Sequence, residues 1–98
     1  MEKIKFAHFR NFEFDGAVSN LGGVTMAYTQ IGDCKFKVAY SWCSPNDNFN
    51  KKVGRIKAMG RLNSDRYSCV YNYYNEKELL AMEKAVQQPY MIKEKHGK

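Results

Sequence analysis

The chain is poor in the residues that usually announce chemistry. Its three cysteines, Cys34, Cys43 and Cys69, are odd in number and form no C-x-x-C pair. That argues against a disulfide framework or a zinc ribbon and fits a reducing cytosol, hence a cytoplasmic protein. Each lies in or beside a strand-like run and reads as a small core or near-core residue. There are two histidines, His8 and His96, and no H-x-x-x-H spacing, so the pattern offers no metal site. The loop "NLGGVT" lacks the Lys-Ser/Thr that completes a phosphate-binding Walker motif. Carboxylates are scattered: Glu13, Asp15 and Asp33 fall in or near turns, while Asp47, Glu76 and Glu78 suit helix caps. A metal-dependent nuclease would want them convergent. No apolar run approaches the roughly 18 residues of a membrane span, and "MEKIKFAHF" lacks the apolar stretch of a secretory leader. These absences predict a non-enzymatic protein with no catalytic residue, no metal, no cofactor and no membrane partner. The one catalytic alternative is His8 paired with a cysteine across adjacent strands, against which His8 reads as a partly buried strand residue.

What is present describes a small globular domain. The 98 residues are 44% hydrophobic and 14% aromatic, enough for one modest core. We assign residues 1–92 to one domain and "KEKHGK", 93–98, to a frayed charged tail. A net charge of +6 points to an anionic partner.

Residues 3–14 read as a strand whose alternation breaks near His8, as a bulge or phase change would cause. Residues 24–42 read as a hairpin: Val24, Met26 and Tyr28 share a face, as do Phe36, Val38, Tyr40 and Trp42, with Lys35 and Lys37 opposite and "IGD" as the turn. The pattern predicts one buried sheet face and one wet, partly basic face. "RYSCVYNYY", 66–74, is a fourth strand with Tyr67, Cys69, Tyr71 and Tyr73 on one side. Asn75 and Glu78 then cap a helix whose apolar stripe is Leu79, Met82 and Val86, stopped by Pro89. The fold class is therefore α+β: a mostly antiparallel sheet of about four strands carrying two helices on one face, in the order β-β-β-α-β-α.

The segment "CSPNDNFNKKVGRIKAMGRL", 43–62, carries the functional signal. Ser44 as N-cap, Pro45 at the first helical position and Asp47 in a capping-box place predict a helix over 45–62. At about 100° per residue, Phe49, Val53, Ile56 and Gly60 form the inward arc, with Met59 at its edge. Gly54 and Ala58 then lie outward, between Lys51 and Arg55 on one side and Lys57 and Arg61 on the other. An outward glycine costs about 0.5–1 kcal/mol relative to alanine, which close approach of another surface would justify. A phosphate backbone of DNA or RNA could lie along that strip without strong sequence readout, with Lys35 and Lys37 extending it. An acidic protein could dock there instead, or the face is merely solvated. Tyr71, Tyr73, Tyr74, Trp42 and Phe36 could stack bases, although the main aromatic parity is needed in the core. A sheet edge left unpaired could join a second copy into a homodimer.

The residues Cys43, Ser44, Pro45, Asp47, Phe49, Lys51, Lys52, Gly54, Arg55, Gly60 and Arg61 resemble a pattern of small accessory proteins of tailed bacteriophages, in which C-S-P-x-D-x-F leads into a basic helix with paired G-R steps. The resemblance covers about a fifth of the chain. It implies a protein acting inside a bacterial host, binding nucleic acid or inhibiting a host or defence protein. It supplies no catalytic residue.

Overall fold

A computed structural model describes residues 3–12 and 15–91, the last five as backbone alone. Four strands and two helices follow one another as expected: β1 Lys5–Phe9, β2 Leu21–Gly32, β3 Lys35–Asn48, α1 Lys51–Leu62, β4 Cys69–Asn72 and α2 Glu76–Met91. The strands form one antiparallel sheet in chain order, β1-β2-β3-β4. The domain is α+β, and none of the described helices is long and apolar enough to cross a membrane. The predicted tail, 93–98, lies outside the described residues, as do Glu13, Phe14 and His96.

The β2–β3 hairpin is the spine. Met26 pairs with Tyr40, Ala27 with Ala39 and Tyr28 with Val38. The turn sits one residue later than "IGD" suggests, at Asp33 and Cys34, because Gly32 pairs with Lys35. Cys34 takes the left-handed conformation, φ 58°. It is exposed, as is Cys69, while Cys43 is half-buried. None of the three is a core residue, because each sits in a turn, a bulge or an edge strand.

Alternation along the strands divides the sheet into two covered faces. Phe9, Val24, Met26, Tyr28, Phe36 and Val38 pack with Leu79 of α2. Ala27 and Ala39 pack with Ala58 and Leu62 of α1. The helices therefore lie on opposite faces, not on one. The face expected to be wet carries Thr25, Ala27, Ala39 and Ser41, all buried. All four side chains are small; the hydroxyls of Thr25 and Ser41 imitate a solvated surface in the sequence, yet the row makes a shallow bed for a helix.

Three element boundaries also differ from expectation. β1 ends at Phe9 with its register unbroken, so the irregularity is a strand end. β4 is confined to Cys69–Asn72, leaving Tyr67 exposed in the preceding turn. α2 continues through Pro89 to Met91, so the proline, although it cannot donate to the preceding turn, does not stop the helix.

The inward residues of α2 are also unexpected. Leu79 is buried, but Met82 and Val86 are exposed, and Glu83 is buried instead. The Tyr40 hydroxyl donates to Glu83 Oε1 at 2.6 Å. Nearer the N-terminus, Glu76 accepts from Tyr28 at 2.8 Å and pairs with Lys5 at 2.8 Å. These two bonds hold the Glu76 carboxyl below its usual range. Burial and the adjacent carboxylates push the Tyr28 and Tyr40 hydroxyls up. The Asn75 cap forms as anticipated, accepting from the Glu78 N–H at 2.8 Å.

Candidate functional site

The basic helix begins later than its sequence suggests. Ser44, Pro45, Asn46 and Asp47 bulge out of β3, which leaves β2 at Cys43, opposite Gly23, and rejoins it at Asn48, opposite Leu21. Ser44 Oγ accepts from the Asn46 N–H at 3.2 Å inside that bulge, so it caps no helix. Asn50 is the N-cap, its Oδ1 accepting from the Val53 N–H at 3.0 Å.

The phase of α1 is the reverse of the expected one. Ala58 is wholly buried and Leu62 nearly so. A Cβ at Gly54 would run into Thr25, whose own Cβ lies 3.0 Å from that point. Gly54 and Ala58 thus face the sheet and form no outward strip. A glycine is needed at position 54 because α1 rests directly on Thr25. Outside lie the residues assigned to the core: Ile56 is 63% exposed, Val53 43% and Met59 39%, and a Cβ at Gly60 would meet open space. Spaced i, i+3, i+6 and i+7, these four form one continuous outer stripe.

The cations flank the helix. Lys51 and Arg55 are exposed on the β1 side, close enough for their charges to act on His8. Lys57 is exposed on the β3 side, and Arg61 there donates to the Tyr40 carbonyl at 2.9 Å. Lys52 rims the stripe. Among the described residues, the ion pairs are Lys5–Glu76 and Lys37–Asp65, so none of the five α1 cations reaches a carboxylate. Lys35, exposed at the hairpin turn, adds nothing to this group, and Lys37 is tied to Asp65 at 3.2 Å.

The sequence reading missed a cluster on the β1 flank. The Arg10 guanidinium lies 4.6 Å over the Phe49 ring, and His8 meets that ring edge-on at 5.7 Å. His8 Nδ1 and Thr25 Oγ1 share a hydrogen bond of 2.9 Å. Burial, with help from Lys51, Arg55 and Arg10, lowers the His8 pKa from 6.5. Phe49 reaches this place because Gly23, at φ 126°, has no side chain to obstruct it. A Cβ there would sit 2.6 Å from the ring. Phe49 is therefore a wedge ahead of the helix and no part of its buried arc.

A cavity of about 380 Å³ opens on the opposite flank, between the first half of α1 and the β3 bulge. Its walls include Ser41, Cys43, Asn50, Val53 and Lys57. The Cys43 thiol turns onto the carbonyls of Ser44, Asp47 and Asn48 at 3.6, 3.5 and 3.5 Å, which closes the bulge on itself.

No family model, curated protein or solved structure matches this chain.

Proposed function

We propose that the protein is a small non-enzymatic binding module that docks the outer face of α1 on an acidic partner protein. The carrying observation is the exposed stripe of Val53, Ile56, Met59 and Gly60, rimmed by cations without carboxylate partners. A contiguous apolar ridge is the mark of a protein contact. It offers nothing to a phosphate backbone, which is gripped by donors and charge. Lysines and arginines at the rim steer an acidic surface and fix its register. The likeness of segment 43–61 to phage accessory proteins supports a host or defence protein in the bacterial cytoplasm as the target.

Capture from bacterial lysate tests this reading. One protein should be retained after nuclease treatment, and Ile56→Glu should abolish its retention while the circular-dichroism spectrum stays unchanged. Capture indifferent to Ile56→Glu removes the proposal. A second reading rests on the Arg10, Lys51 and Arg55 cluster: those three cations could hold the phosphates of DNA or RNA without base readout. It predicts fluorescence-anisotropy binding that weakens steeply with salt and survives Ile56→Glu but not Lys51→Gln with Arg55→Gln.

A further inference from the structure

The wall of the cavity beside α1 carries four side chains able to donate, Ser41, Ser44, Asn50 and Lys57. Ser41 is only 5% exposed and lies on the cavity wall, where its hydroxyl is able to donate. Asn50 uses its Oδ1 on the helix cap, which leaves its amide N–H groups to donate. Ser44 Oγ already accepts from Asn46, so its proton is free for another acceptor. Lys57 adds a cation to the same wall. A group that only accepts, and carries negative charge, satisfies this set: an ionised carboxylate has about four lone-pair directions and no proton to place. Charge-assisted bonds of this kind are about twice as strong as neutral ones.

The cavity also adjoins the outer stripe, since Val53 belongs to both. We propose that it is the socket for an aspartate or glutamate side chain of the docked partner, an inference that rests on the docking reading above. The volume admits such a side chain with a few waters. The one acid on the wall, Asp47, lies on the exposed bulge. It opposes an anion there and would favour a cation, so its removal reports the sign of the ligand.

Binding of a small probe separates the socket from the docking surface. N-acetyl-glutamate N-methylamide titrated into the ¹⁵N-labelled full chain should shift the amides of Ser41, Asn50, Val53 and Lys57 saturably. The glutamine analogue should bind about ten-fold more weakly, the loss expected when a charged hydrogen-bond partner becomes neutral. Lys57→Gln, at an exposed position, should weaken the glutamate probe by a similar factor, and Asp47→Asn should tighten it. Absent shifts, equal binding of both probes, or tightening by Lys57→Gln would overturn the socket. Ile56 lies outside the cavity, so Ile56→Glu should leave probe binding intact. Should the probe fail while capture still depends on Ile56, the socket falls and the docking reading stands. If the probe binds but capture ignores Ile56, the assignment of the carboxylate to a docked partner falls.

Discussion

Replacing Gly54 with alanine tests the orientation of α1 directly. The new methyl group would press on Thr25, with the threonine Cβ 3.0 Å away and its hydroxyl nearer still. Thr25 is wholly buried in a central strand, and its hydroxyl is held by His8 at 2.9 Å. It has nowhere to retreat, so either the helix lifts or the Thr25–His8 bond breaks. Overpacking of this kind costs about 1–3 kcal/mol, and the lost hydrogen bond adds about 1 kcal/mol. The better helix propensity of alanine returns about 1 kcal/mol. The expected balance is a loss of about 1–3 kcal/mol, or a Tm lowered by roughly 5–15 °C for a domain of this size. Gly60→Ala is the matched control. Its methyl group meets open space, so propensity acts alone and raises stability by about 0.5–1 kcal/mol. Urea unfolding followed by circular dichroism at 222 nm measures both. Adding Thr25→Ala to Gly54→Ala should restore part of the loss by removing the hydroxyl. If Gly54→Ala stabilises as Gly60→Ala does, the packing of α1 against the sheet is wrong, and with it the outer stripe.

Other consequences can be measured on the same protein. Because folding lowers the His8 pKa, the unfolded chain binds that proton more readily than the native state. The stability that His8 contributes is therefore present above pH 6.5 and declines as pH falls through and below that value. An NMR titration should place the His8 midpoint below 6.5, and Lys51→Gln with Arg55→Gln should raise it; an unchanged midpoint would refute the charge contribution. Tyr40→Phe should destabilise by about 1–3 kcal/mol, because the buried Glu83 loses its donor. Tyr28→Phe should cost less, since Glu76 keeps Lys5 and is not deeply buried; equal losses in urea titrations would contradict that distinction.

The period-two pattern of 24–42 read correctly as a hairpin, and Asn75 with Glu78 located the start of α2. Those signals are local: strand alternation and capping depend on neighbours in the chain. The direction faced by α1 is not local. Val53 and Ile56 are more apolar than Gly54 and Ala58, so a single-helix pattern turns them inward. The deciding partner is the row of Thr25, Ala27, Ala39 and Ser41, whose small size lets the helix backbone settle onto the sheet. Both surfaces are small, so the match lies in shape and not in hydrophobicity. The same blind spot hid Glu83, which α2 buries because Tyr40 waits beneath it with a hydroxyl. The Ser44–Pro45–Asp47 signal misled for another reason: turn-forming residues serve a strand bulge as well as a helix start. The cations were found, but their setting was not, since the ridge between them proved to be the buried one.

Strand order that follows chain order has a kinetic consequence. No strand must be threaded between two already paired, and every sheet ladder joins successive strands. The β2–β3 hairpin can close first through its two-residue turn, with β1 zipping onto one margin from a short distance along the chain. The β4 ladder alone waits on a detour, because the polypeptide must lay down α1 before returning to β3. Assembly should therefore be quick for the first three strands and limited by that return, and mutations under α1 should slow refolding more than those under α2.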